Sequence, residues 1–380
     1  MLARILSMTL ACLCVSNLFC VAEAEKRYVE ATYKHGELKY IKGIPVLKLE
    51  GSPEEIGEQF GELAMKPAKK PLLDRVDTYM KKCGYGSAYP VMLRAAGFLL
   101  PMFPENNQKE ISAAAQVSGV PRNVLIMLNA MPDLEKIGGC STVIVNPERS
   151  QSKTPLFGRL LDWPPYEDLP EFTLITVFKQ PDKHTLATIT FPVILGAISG
   201  MNDQGLCLAI DEINGSKDGS PKSDLKGTPM LMIFRKILEE CSTVEEAEKL
   251  LKESKRTTYF CLTVCDKKGG RVLETTPKNV IPRLAIDHIC CCTNHFRTDE
   301  LSLSKKCFRY DKLEKIQKGI NKLDVDGVAQ ALHTVNQGAF TVQSMVFQPA
   351  ERKLHLAFGG GKSATAQKLT EIDLTALFKK

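Results

Sequence analysis

Few residues in this chain could break a covalent bond, and Cys140 stands first among them. It follows Gly138-Gly139 and precedes Ser141-Thr142. A glycine ahead of a cysteine leaves the preceding carbonyl open to the thiol, so an N-to-S acyl shift and hydrolysis of the 139–140 peptide are sterically possible. That cut would free an α-amine on the residue that carries the thiol. An unperturbed α-amine titrates near ~8, so at neutral pH a useful fraction can take the thiol proton. Nucleophile and base would then share one residue. A chemistry that needs no imidazole suits a chain with six histidines, none in a catalytic motif. The plain alternative for Cys140 is an inert core cysteine.

Five other positions carry matching chemistry. Arg159 and Asp162 lie in Phe157-Gly158-Arg159-Leu160-Leu161-Asp162-Trp163. A carboxylate there can orient an ammonium, and an arginine fork can bind a carbonyl or carboxylate; a surface salt bridge is the simpler account. Asn294, in Thr293-Asn294-His295-Phe296, could donate to a tetrahedral oxyanion, an interaction typically worth ~3–4 kcal/mol in a transition state. His295 would point to the opposite strand face and reads as structural or peripheral. Asn202 sits in Gly200-Met201-Asn202-Asp203-Gln204-Gly205-Leu206, where a β-turn suffices to explain Asn and Gly. Arg309 follows in Lys305-Lys306-Cys307-Phe308-Arg309-Tyr310, and its simpler reading is an exposed helix cation.

The elements that must position these residues follow from periodicity. Residues 28–49 read as short strands with turns at His35-Gly36 and Lys42-Gly43, and 44–49 as an edge strand. Ser52, Pro53 and Glu55 form a capping box that opens a helix, with Ile56, Phe60 and Leu63 at helical spacing. Gly57 and Gly61 in that helix point to close approach of another element. Helical patterning then runs through 72–134, with helices expected at 91–100, at 108–117 and from Pro121. After Cys140 the chain becomes strand-rich: 141–146, 156–161, 173–179, 185–191, 194–199 and 206–210. Helices are expected at 229–239, 244–253, 299–318 and 325–334, and strands at 258–266, 271–275, 285–294, 341–348 and 353–358. Strands and helices are segregated, which argues α+β layers and not a βαβ parallel fold. No repeat or linker divides the chain.

The bulk numbers exclude other classes. The 380 residues are 44% hydrophobic and 25% charged, ordinary for a globular chain, and the net charge of +6 is dispersed. No nucleic-acid motif is present, and no later segment reads as a transmembrane helix. Residues 1–24 read as a signal peptide: Arg4, an apolar run over 5–20 and the small-x-small site Ala22-Glu23-Ala24 predict export. Thirteen cysteines fall to ten once Cys12, Cys14 and Cys20 leave with that segment. If Cys140 stays a free thiol, at least one other is unpaired. Zinc at Cys261, Cys265, Cys290, Cys291, Cys292 and a histidine is disfavoured, because three consecutive strand cysteines alternate faces and no C-x-x-C pair occurs.

Taken in order, Gly139-Cys140-Ser141-Thr142, the 157–163 and 200–206 segments and Thr293-Asn294-His295-Phe296 resemble the acyl-coenzyme A:6-aminopenicillanic acid acyltransferase-like family of N-terminal nucleophile hydrolases, peptidase family C45. That family is related to conjugated bile acid hydrolases and acid ceramidase. The resemblance spans about 51–358, and Gly51-Ser52-Pro53-Glu54-Glu55-Ile56-Gly57 is similar to the family's prosegment signature. It implies a four-layer αββα sandwich with a helical N-terminal prosegment, divided into signal peptide 1–24, N-terminal subunit 25–139 and catalytic subunit 140–380. It implies Gly139 before the cut, Cys140 as nucleophile, and Arg159 and Asp162 holding the α-amine and substrate. Asn202 would lie near that amine or the substrate, Asn294 would serve the oxyanion, and Arg309 would be a second active-site arginine. No cofactor and no metal are implied. The expected partners are a small N-acyl substrate and the chain's own cleaved N-terminal subunit. The expected reaction is cleavage of a linear amide of an N-acyl amino acid or amine through a Cys140 thioester, with water the favoured acceptor in an exported protein. Two alternatives are a lipid-directed N-acyl amidase resembling acid ceramidase and a non-catalytic secreted binding protein of the same fold.

Overall fold

The computed structural model describes residues 27–82, 84–134, 136, 138–164, 169–359 and 362–379. The expected signal peptide and Cys83 lie outside them. Two antiparallel-rich sheets are stacked face to face. The larger runs in the order β1 (Ala31–Tyr33), β2 (Gly36–Ile41), β3 (Ile44–Glu50), then β6 (Leu174–Lys179), β7 (Leu186–Thr190), β8 (Ser199–Asn202), β9 (Cys207–Glu212), β10 (Phe260–Asp266), β11 (Gly269–Thr275) and β12 (Val280–Arg283). The smaller runs β13 (Ile289–Cys292), β4 (Gly139–Val145), β5 (Leu156–Asp162), β14 (Thr341–Gln348), β15 (Lys353–Phe358), β16 (Thr370–Asp373).

Helices α1 (Pro53–Phe60), α2 (Lys66–Lys82), α3 (Tyr89–Ala96), α4 (Glu105–Ser118), α5 (Arg122–Leu134), α6 (Met230–Glu240) and α7 (Val244–Glu253) pack on the larger sheet and on one another. Helices α8 (Phe308–Gln317) and α9 (Val325–His333) cover the smaller sheet. A short α10 (Leu374–Phe378) closes the chain. The layers run helix, sheet, sheet, helix, an αββα sandwich of the α+β layers that the segregated pattern of strands and helices predicts.

Strand alternation sorts the side chains into three apolar layers. On β4, Ile144 faces the core between the sheets, while Val143 and Val145 face α8 and α9. The same rule splits the cysteine triplet: Cys290 and Cys292 point between the sheets, and Cys291 points at the outer helices. The described cysteines, Cys140 included, are free and buried.

The capping box forms as the sequence predicts, with Glu55 N donating to Ser52 Oγ at 3.3 Å and Ser52 N donating to Glu55 Oε2 at 2.8 Å. Gly57 and Gly61 let α1 lie against α4: a Cβ would sit 2.3 Å from the Glu110 carbonyl oxygen at the first and 2.7 Å from that of Ala114 at the second.

Several expectations need correction. Strand β3 is interior, because β1 and β2 extend the sheet beyond it and β3 pairs in parallel with β6. Residues 194–199 are not a strand until Ser199; there the backbone turns to bond Asn129 and Leu231. The helix expected over 299–318 begins only at Phe308, since 299–307 form a turn-rich loop. The strand expected over 285–294 is confined to 289–292, and β12 was not foreseen.

Candidate active site

Cys140 is the second residue of β4, and the register of β4 against β5 builds the site. Gly139 stands opposite Asp162, Cys140 opposite Leu161 and Thr142 opposite Arg159. Alternation sends Cys140, Thr142 and Arg159 towards the larger sheet and Ser141 and Asp162 towards α8. Cys140 is only 2% exposed.

On the backbone side every group is engaged. Cys140 N donates to Asn294 Oδ1 at 2.8 Å. Arg309, from the first turn of α8, donates through Nη1 to the Cys140 carbonyl at 2.6 Å and to Ser141 Oγ at 3.0 Å, and through Nη2 to Asn294 Oδ1 at 2.7 Å. Asn294 Nδ2 in turn donates to the Glu212 carbonyl at 2.9 Å. Asp162 lies 3.6 Å from Arg309 Nη1 and accepts from Gln337 Nε2 at 2.7 Å and Thr341 Oγ1 at 2.6 Å. Gly138 N donates to Glu212 Oε2 at 2.7 Å, which fixes the segment entering the 139–140 bond. A Cβ on Gly139 would lie 2.5 Å from Gln337 Nε2. Only glycine fits there without displacing the group that holds Asp162.

On the thiol side the charges are buried and incompletely satisfied. Arg159 is fully buried beside the Cys140 thiol. Its Nε donates to Ser199 Oγ at 3.3 Å and its Nη1 to the Leu160 carbonyl at 2.9 Å, with Asp211 Oδ1 3.8 Å away. Arg159 Nη2 and Asp211 Oδ1 have no hydrogen-bond partner among the described residues. Asp211 Oδ2 accepts a long bond from Thr142 Oγ1 at 3.4 Å. Burial pushes the Cys140 thiol up to about 12, with Arg159 pulling against it and Asp211, Asp162 and Glu212 adding to the rise. Burial likewise raises the Asp211 carboxyl to about 6, against Arg159 and Arg309. Cys140 is therefore a protonated, sheltered thiol.

The structure thus brings together Cys140, Arg159, Asp162, Asn294 and Arg309. Asn202 is elsewhere. Its Nδ2 donates to the carbonyls of Leu238 and Cys241 at 2.9 and 2.7 Å, and its Oδ1 accepts from Gln204 N and Leu206 N. All its hydrogen-bonding capacity goes into tying the β8–β9 turn to the end of α6, so the placement near the amine is corrected. Asn294 also differs from expectation: its amide nitrogen faces the Glu212 carbonyl, and its oxygen holds the Cys140 nitrogen. His295 Nδ1 makes no hydrogen bond among the described residues, and burial with Arg309 and Arg297 lowers its pKa. Sequence reasoning missed Ser199, Asp211, Glu212, Gln337 and Thr341. The signal for two of them was present: Asp211-Glu212 puts two carboxylates at the end of an otherwise apolar strand.

Beside this constellation lies an apolar cavity of ≈ 320 Å³ whose lining includes Val76, Met80, Met131, Phe191, Ile194 and Trp163. Trp163 follows Asp162 and comes within 3.5 Å of where a Gly138 Cβ would be. It therefore touches both the cavity and the approach to Cys140.

Residues 149–363 match the family described as acyl-coenzyme A:6-aminopenicillanic acid acyl-transferase. The chain belongs to this family. The match begins after Cys140 and contains the other five predicted catalytic residues. As a member, the protein is an N-terminal nucleophile amidohydrolase or acyltransferase acting on amide bonds. No curated protein matches the chain. Among solved structures it is similar to a Caenorhabditis elegans N-acylethanolamine-hydrolyzing acid amidase ortholog, at 20% identity over 56% of this chain and 93% of that one, with TM-score 0.45. It is also similar to the conjugated bile acid hydrolase of Clostridium perfringens, at 14% identity over 62% and 93%, TM-score 0.45. A third likeness is to penicillin V acylase of Agrobacterium tumefaciens, at 13% identity over 62% and 86%, TM-score 0.42.

Proposed function

We propose that this exported family member cuts its own Gly139–Cys140 bond and then uses Cys140 to hydrolyse a linear N-acyl amide whose acyl group is apolar. The observation that carries the reading is the pairing at one residue. The Cys140 nitrogen rests on Asn294 Oδ1, while its thiol rests against a buried arginine with a donor to spare.

In the cut, Sγ attacks the Gly139 carbonyl, the C–N bond breaks, and the thiol proton ends on the Cys140 nitrogen. Water then hydrolyses the thioester, leaving a Gly139 carboxylate and a free α-amine. That amine keeps its neighbours Asn294 and Asp162 and serves as the base. In turnover it takes the thiol proton, and the thiolate attacks the substrate carbonyl. Arg159 Nη2 donates to the oxyanion, the leaving amine takes the proton back, and water releases the acid from the Cys140 thioester.

The apolar cavity beside Trp163 favours the lipid-directed reading over a small polar acyl group. A carbon chain gains about 0.8 kcal/mol per buried methylene, so kcat/KM should rise about fourfold per CH2 until the cavity is full.

Intact mass of the purified protein tests the reading. Wild type should give fragments ending at Gly139 and beginning at Cys140. Cys140→Ala should stay one chain and lose turnover by at least about 10³-fold. A cleaved Cys140→Ala protein, or an uncut wild type that turns over, overturns it. A series of N-acyl amines of increasing chain length tests the acyl preference, and a flat response removes it.

A further inference from the structure

The helical layer exposes apolar side chains where ordinary folding would place polar ones. Along α3 and the 3-10 turn that continues it (Gly97–Met102), the inward residues Leu93, Leu99 and Leu100 pack on the core. The opposite stripe, at i, i+4 and i+7, is Val91, Ala95 and Phe98, and it faces solvent, with Val91 67% and Phe98 85% exposed. The stripe runs into the mouth of the apolar cavity, because Tyr85, Met92 and Leu134 are exposed and also line it. Its net charge is positive. Between Asp77 and Glu105 the chain carries Lys81, Lys82 and Arg94, all exposed, and no acidic residue. Lys81 pairs with Asp77, while Arg94 lies on the exposed stripe itself, three residues after Val91.

We propose that this face docks the protein on an anionic lipid surface, with the cavity mouth turned to the lipid so that an apolar acyl chain enters without crossing water. The proposal deepens the acyl reading above and rests on it for its purpose. Apolar side chains flanked by cations match the boundary between acyl chains and anionic headgroups. A second copy of this chain fits less well, since a two-fold contact would bring Arg94 and the lysines against their own kind. Attachment would be at the surface, as no described helix is long and apolar enough to cross a membrane.

Co-sedimentation of the full, processed protein with vesicles decides the matter. The probes are phosphatidylcholine alone and phosphatidylcholine mixed with phosphatidylglycerol. Wild type should bind the mixed vesicles at least about tenfold more tightly than the neutral ones, and salt should release it. The double variant Val91→Ser/Phe98→Ser should lose at least about tenfold in binding, while self-cleavage and the melting temperature stay unchanged, which shows that it folds. No binding by wild type, equal binding by the variant, or a variant effect confined to oligomeric state overturns the proposal. A flat acyl-chain series in detergent solution together with intact vesicle binding would sink the acyl reading and leave the docking surface standing.

Discussion

The two sides of Cys140 are built on different principles. Around its backbone, Asn294, Arg309, Asp162, Gln337 and Thr341 form a closed set of short bonds. Around its thiol, Arg159 and Asp211 are equally buried yet keep unpaired atoms, and they stand 3.8 Å apart where a direct bond would be closer. A closed set costs little in the uncut chain and serves to hold one geometry. An open set is costly in a low-dielectric interior unless a further group arrives to complete it. On the function proposed above, the backbone side would present the bond and the thiol side would receive the charge that develops during reaction.

Arg159→Met tests the thiol side with the largest expected effect. Asp211 would be left buried without its counter-charge, a loss of ~3–5 kcal/mol in stability. Turnover should fall by about 10²–10³-fold with the lost donor. Adding Asp211→Asn should restore the melting temperature but not the turnover; recovery of both would mean that Arg159 only balances charge.

Asp133 is the control for that inference, since its buried Oδ2 also makes no hydrogen bond among the described residues while Oδ1 accepts from Met230 N and from Thr257. Burial raises its pKa from 3.8 to about 6. The stability linked to its neutral form is present below about 4 and lost as pH rises through about 6, a difference of roughly 2–3 kcal/mol by neutral pH. Asp133→Asn should thus melt higher than wild type at pH 7.5, match it near pH 4, and leave turnover alone. A loss of turnover would show that an incomplete set need not lie beside the thiol to matter.

On the backbone side, Gly139→Ala should push Gln337 off Asp162 and slow self-cleavage by about tenfold, a cost near 1.4 kcal/mol. Gln337→Ala in the same chain should relieve the clash and recover part of the rate on a time-resolved gel. The smallest change concerns Glu212. Replacement by Ala should slow the cut severalfold by freeing the Gly138 amide, whereas Gln keeps an acceptor and most of the rate, consistent with a hydrogen bond worth about 1 kcal/mol.

Much of this arrangement was legible in the residues, and the exceptions have physical causes. Cys140, Arg159 and Asp162 could be read because one antiparallel register, β4 on β5, places them together. Asn294 and Arg309 could be read as chemistry but not as a bonded pair, since they meet only when α8 packs over β13 and β4. Asn202 misled because an asparagine that satisfies a turn looks the same in sequence as one that binds a ligand. Asp211 and Glu212 close β9 at its far end from Asn202, outside every motif, and nothing local marks Gln337 or Thr341. The same limit applies to the fold. The capping box at Ser52 is a local code and formed, whereas the interior position of β3 depends on β6, more than a hundred residues later.

That parallel contact between β3 and β6 bears on the life history of the molecule. Five consecutive residues, Val46 to Glu50, are locked against Ile175 to Lys179, so a cut at 139–140 would not release the first segment. It would convert one chain into two interleaved ones that share a sheet. Before the cut, the closing of that sheet is a unimolecular event at fixed effective concentration; afterwards its reassembly is bimolecular and dilution opposes it. Folding would then be a step taken once, with activation erasing the route by which the enzyme was made.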